Sequence, residues 1–159
     1  MINVLVANYV KDVLQFDETK IIIGRLNFIQ DNYSTDRIYI DTLAPRQNLG
    51  SSEKFDDVLE KMKYVTTFKQ VFTIDFIGEN LDTNVNDFIN LQNSERAILA
   101  SEQNSIRVLL SNNINNVKDL KGKIYYNRTQ LEIMVTFSEE TQIDVPRFDT
   151  AQTVLTIDL

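Results

Sequence analysis

Carboxylates are the side chains of this sequence that most readily suggest chemistry. They include two adjacent pairs, Asp56 with Asp57 and Glu139 with Glu140. Hydrolysis by paired carboxylates needs an acid and a base that converge on a substrate across a pocket. Neighbours on one exposed segment usually face solvent instead, so we predict no catalytic residue at either pair.

A second carboxylate motif suggests calcium. Residues 82–86 match the first three ligand positions of an EF-hand loop, in which alternate oxygen side chains converge on the ion. The match then fails, because the sixth position needs glycine and holds Asp87, and the twelfth needs glutamate and holds Asn93. Helix capping at Thr83 explains the segment better, and we predict no metal site.

The absent residue types narrow the function further. The chain has no cysteine and no histidine, which excludes disulfides, thiol chemistry and a Ser/His/Asp triad within it. Its four glycines lie more than twenty residues apart, so there is no glycine loop for a phosphate. We predict no cofactor and no enzymatic activity, with a small carboxylate-dependent enzyme as the alternative from another class.

Composition and charge describe an ordinary folded domain. With 159 residues and a hydrophobic share of 43%, the chain is expected to form one domain, 1–159. Its net charge of −7 makes broad attraction to nucleic acid unfavourable, although DNA could still pass by it. No apolar run is long enough to cross a bilayer, so we expect no membrane partner and no export.

The hydrophobic periodicity predicts an α+β fold, an antiparallel β-sheet with two α-helices packed on one face. The expected helices span residues 2–16 and from Thr83 to about Ser101. The expected strands span residues 20–26, 36–43, 64–77, 106–110, 123–137 and 154–159, with a turn at 121–123. The alternating apolar residues of two strands should form the core: Phe72, Ile74, Phe76, Leu131, Ile133 and Val135.

Residues 46–63 interrupt this pattern with a polar, highly charged segment. We predict a long charged loop between strands, with a partial helix around 57–62. Loops longer than about 12 residues are uncommon in compact domains and are often functional. The alternative is a solvated surface excursion. The candidate interface or lumen residues of this loop are Arg46, Glu53, Lys54, Asp56, Asp57, Glu60 and Lys61.

Several short motifs occur in a characteristic order along the chain. They are YVTTFKQ (64–70), TIDFIGEN (73–80), FINLQ (88–92), SERA (94–97), VKDL (117–120), YNRTQLE (126–132) and DTAQ (149–152). Together they resemble the bacteriophage neck terminator family, also described as tail-terminator or head–tail joining proteins. The resemblance covers roughly residues 20–152 and is least in the charged loop.

The resemblance implies a structural virion protein of the phage neck, assembled in the host cytoplasm. Such a subunit forms a ring, a hexamer by this resemblance, that ends the tail tube and joins it to the head connector. Its partners would be copies of itself, the connector and adaptor proteins and the tube protein. DNA would pass through the lumen without specific binding. Another tail component, a tube or baseplate subunit, is the nearest alternative.

Overall fold

A computed structural model describes residues 2–25, 34–56, 61–121 and 124–144. The fold is α+β, as predicted, with helices packed against a mostly antiparallel sheet. The predicted strand at 154–159 and most of the turn at 121–123 lie outside the described residues. In chain order the elements are α1 (Ile2–Leu14), a 3₁₀ turn (Glu18–Lys20), β1 (Ile21–Ile23), β2 (Arg37–Thr42), β3 (Gln47–Asp56), β4 (Lys61–Ile77), α2 (Leu81–Leu91), α3 (Glu95–Gln103), β5 (Ile106–Lys121) and β6 (Ile124–Asp144).

The six strands form one sheet in the order β1-β2-β4-β6-β5, and β3 pairs with β4 beside β2. Every pairing is antiparallel except that of β1 with β2, which is parallel and departs from the prediction. A parallel pair needs a long connection, and residues 24–36 separate these two strands. β4 is long enough to hold β3 along its first half and β2 along its second.

The helices cover one face of the sheet and enclose the core. The predicted core residues Phe72, Ile74, Phe76, Leu131, Ile133 and Val135 are all buried, which confirms the predicted face. α1 contributes Val6, Tyr9, Val10 and Val13, whose spacing places them on one side of the helix. Tyr9 donates a hydrogen bond to Gln92 over 3.0 Å, and burial raises the pKa of Tyr9 to about 12.

The second predicted helix is two helices, and the prediction that Thr83 caps it is wrong. α2 begins at Leu81, which places Thr83 inside the first turn. Ser94 then starts α3: its hydroxyl accepts a hydrogen bond from the Ala97 amide over 3.2 Å and donates to the Leu91 carbonyl over 2.6 Å. One side chain therefore ends α2 and begins α3.

Replacing Ser94 with alanine should lower the free energy of unfolding by about 1 kcal/mol, because an amide of the first turn of α3 loses its acceptor. Urea unfolding monitored by circular dichroism measures the change. Ser94→Thr is the control, since threonine keeps a hydroxyl that can accept from the Ala97 amide and donate to the Leu91 carbonyl, and it should cost less than about 0.5 kcal/mol. Equal losses in both variants would contradict the capping role.

The opposite face of the sheet carries polar side chains where β2, β4 and β6 meet. Asp75 and Arg128 form an ion pair of 3.7 Å there, with side chains only 8% and 14% exposed. A second pair, Arg25 with Asp41 at 2.8 Å, lies at the rim of the same cavity of about 230 Å³. The Arg25 side chain is 88% exposed, so only the first pair is buried.

Candidate functional site

The predicted loop at 46–63 is wrong: its described residues are nearly all β-strand. Residues 47–56 form β3 and pair with residues 61–69 of β4, which pair in turn with residues 136–144 of β6. We call this three-stranded extension the arm. Charged side chains there indicated a loop, but both faces of the arm meet solvent, so its strands lack the alternation that burial of one face imposes.

One face of the arm is apolar. Phe55, Met62 and Ile143 lie side by side across its three strands, and Tyr64 follows in the next row. This face continues the surface that the helices cover elsewhere, since even-numbered residues of β4 lie on it throughout. Phe55 and Ile143 nevertheless remain 46% and 53% exposed, and neither belongs to the core under the helices. We call this surface the apolar face.

Arg46 lies at the end of the apolar face that adjoins the body of the domain. Its guanidinium lies 4.5 Å from the ring centroid of Phe68, which stacks on Phe137 with 5.7 Å between centroids. The same guanidinium donates to both carboxylate oxygens of Glu139, over 2.8 Å and 3.0 Å. Arg46 therefore covers this aromatic pair, whereas Phe55 and Ile143, farther out on the arm, remain about half exposed.

The other face of the arm is charged. Lys63 bonds to Asp56 at 3.1 Å and to Glu140 at 3.7 Å, and Lys61 bonds to Asp144 at 3.1 Å. The hydrogen bond with Asp56 and the charge of Glu140 raise the pKa of Lys63 above its usual range. These pairs are partly exposed and add little stability, but they keep this face charged and well solvated.

The predicted interface residues therefore divide between two surfaces. Arg46 and Glu53 lie on the apolar face, because Glu53 is the partner of Tyr64 in the register. On the charged face are Lys54, Asp56 and Lys61. Asp57 and Glu60 lie outside the described residues.

Glu139 and Glu140, one of the two adjacent carboxylate pairs, do not converge on one site. Glu139 bonds to Arg46 on the apolar face, whereas Glu140 bonds to Lys63 on the charged face. Successive residues of a strand point to opposite sides of the sheet, so the pair cannot act on one substrate.

The calcium-like motif lies inside α2, where Asp82 belongs to the first turn. Helical side chains two residues apart point in different directions, so the alternate oxygens of this segment cannot surround one ion. Within the described ranges, no group of three or more acidic side chains is placed to hold a metal.

No protein-family model and no curated protein matches this chain. Among the described residues, no helix is long and apolar enough to cross a membrane.

The apolar residues of the arm were not predicted from the sequence. Phe55, Met62 and Ile143 each stand among polar neighbours, and only their register across three strands brings them together. One local signal was present, because residues 61–64 read Lys-Met-Lys-Tyr and alternate as a strand does. That alternation could have extended the predicted strand back to Lys61.

Proposed function

We propose that this chain is a structural subunit of a bacteriophage neck, which assembles into a ring that ends the tail tube and joins it to the head connector. The observation that carries the proposal is the uncovered apolar face of the arm. An extended surface of this kind is best explained by contact with another protein. The resemblance of the sequence to neck terminator proteins indicates which assembly that contact serves.

A ring requires a contact between two different surfaces of the same chain, repeated around an axis. The apolar face of the arm can be one of these two surfaces, and the body of the domain has to supply the other. Its charged face can stay in water while the apolar face is buried against a neighbour. The resemblance implies six copies, with the tube and connector proteins as the axial partners and DNA in the lumen.

Removing the apolar face should weaken assembly without unfolding the subunit. In the variant Phe55→Ser/Ile143→Ser, each half-exposed side chain loses about 1 kcal/mol of burial in the contact, so we expect association roughly thirtyfold weaker. Native mass spectrometry across a concentration series measures the oligomer, and negative-stain microscopy shows its shape.

The matched control is Val65→Ser, which removes an apolar side chain from the opposite face of the same arm and should leave assembly unchanged. Closed rings that the double variant loses support the proposal. Open-ended tubes would indicate a tube subunit instead. A wild-type chain that stays monomeric at every concentration, alone and with tail tubes added, would contradict the proposal.

A further inference from the structure

The apolar face of the arm carries a carboxylate without a counter-charge. Glu53 stands next to Tyr64 in the register, one row from Phe55. Glu139, the other carboxylate on this face, is already neutralised by Arg46. Glu53 is exposed and makes no ion pair with any side chain in the described ranges. A surface that buried this face would need to offer a cation at that point.

A groove in the helix layer has the complementary features. It lies between α1 and α3 and has a volume of about 910 Å³. Its lining is mixed: Phe16, Leu91 and Leu99 are among the apolar side chains, and the charged ones are Lys11, Asp12, Glu95 and Arg96. Leu99 is 48% exposed, and its neighbour Ile98 is also exposed. The groove is therefore open, and part of its apolar lining remains in contact with solvent.

The groove holds two cations and two carboxylates, of which Lys11 and Asp12 lie 4.0 Å apart and Glu95 belongs to the first turn of α3. The other cation, Arg96, donates a hydrogen bond to the Val13 carbonyl over 3.3 Å, in the last turn of α1. No carboxylate of the described residues pairs with Arg96. That hydrogen bond anchors the arginine side chain, and its planar guanidinium suits paired contact with a carboxylate. Lys11, the other cation of the groove, already pairs with Glu18 at 3.5 Å.

We propose that the groove between α1 and α3 of one copy receives the apolar face of the arm of the next copy, with Glu53 against Arg96. This inference rests on the proposed function and names the contact that closes the ring. The occupant is a second copy because one chain supplies both halves of the match: an apolar strand surface whose Glu53 has no ion pair among the described residues, and a partly apolar groove whose Arg96 has none there either.

The positions of the two surfaces are compatible with a ring. The arm consists of β3, β4 and β6, whereas the groove belongs to α1 and α3, so the surfaces share no residue. Each copy can then give its arm to one neighbour and receive the arm of another. Repetition of such a heterologous contact forms a ring when the rotation between neighbours closes, and an open filament when it does not.

Crosslinking tests the contact directly. A cysteine introduced by Gln103→Cys, which lines the groove but takes no part in the proposed ion pair, is the only cysteine of the chain and can carry a benzophenone photo-crosslinker. Isotope-labelled and unlabelled subunits are assembled together, irradiated and digested, and mixed-isotope crosslinks between position 103 and residues 47–56 are the expected product. Crosslinks within one subunit, to residues 145–159, or to the helices of another copy would overturn the proposal. A matched probe at Lys118→Cys, on β5, should not reach residues 47–56.

Charge exchange tests the ion pair. Glu53→Arg and Arg96→Glu should each weaken assembly about tenfold or more, because each leaves two like charges facing each other. The double variant Glu53→Arg/Arg96→Glu restores the pair in every contact and should recover assembly. Lys54→Glu/Arg96→Glu is the control and should not recover it, since Lys54 lies on the charged face.

The outcomes separate this inference from the proposed function. If wild-type rings form, but the charge exchange fails to restore them and position 103 does not reach residues 47–56, the groove is not the partner of the arm and the ring proposal stands. If the wild-type chain forms no ring under any condition, native mass spectrometry shows this at once and both proposals fall.

Discussion

Replacing Phe76 with alanine is expected to lower the free energy of unfolding by about 3–5 kcal/mol. The Phe76 ring is 1% exposed and lies 5.9 Å from the ring of Phe88, centroid to centroid, where α2 meets the sheet. Its removal leaves a cavity at the junction of two layers, which neither layer can fill without moving. Denaturant unfolding of the free subunit measures the loss.

Phe55→Ala is the control for that measurement, because it removes the same side chain from the exposed apolar face of the arm. Because Phe55 is about half buried in the free subunit, its cost there should stay below about 1.5 kcal/mol. Assembly should respond in the opposite order, with Phe55→Ala impairing it and Phe76→Ala acting only through stability. Similar losses of stability from both variants would contradict the division between core and arm.

Replacing Arg128 with methionine is expected to destabilise the subunit by about 3 kcal/mol at neutral pH. The change leaves the buried Asp75 carboxylate without the guanidinium 3.7 Å away. Methionine preserves much of the apolar volume, so the loss reports mainly the uncompensated charge. Urea unfolding at fixed ionic strength provides the measurement.

Two further variants separate burial from charge pairing. In Asp75→Leu/Arg128→Met both charges are absent, and stability should return to within about 1 kcal/mol of the wild type. Arg25→Met breaks a shorter ion pair, to Asp41 at 2.8 Å, but Arg25 is mostly exposed, so the cost should be below about 1 kcal/mol. A larger loss from Arg25→Met than from Arg128→Met would show that distance, and not burial, decides the strength of these pairs.

The sequence predicted the body of the domain well because the helices cover one face of its sheet. Burial of that face imposed the alternation through Phe72, Ile74 and Phe76, and through the matching residues of β6. The class of fold, the covered face and most strand positions followed from that constraint. β5 was the exception: it runs to Lys121, beyond the predicted end at Leu110, with an irregular register between Leu110 and Ile114 that interrupts the pattern.

The arm could not be predicted in the same way, since solvent reaches both of its faces. Polar and charged residues are tolerated at every position of β3, and the apolar row through Phe55 exists only across three strands. The candidate residues were therefore assigned to a loop, whereas those that the structure describes lie in or beside strands. The break between α2 and α3 had a local signal, Ser94 followed by Glu95, which is typical of a helix start.

The uninterrupted course of β4 and β6 through body and arm has a mechanical consequence. At about 3.3 Å per residue, the 17 residues of β4 and the 21 of β6 span roughly 55 Å and 70 Å. Neither strand ends where the arm leaves the body, so a hinge at that point would have to break their hydrogen-bonded ladder. A force applied at the tip of the arm along the strands acts as shear on the hydrogen bonds between β4 and β6. Many backbone hydrogen bonds share this force, which is transmitted to the core without rotation about a hinge.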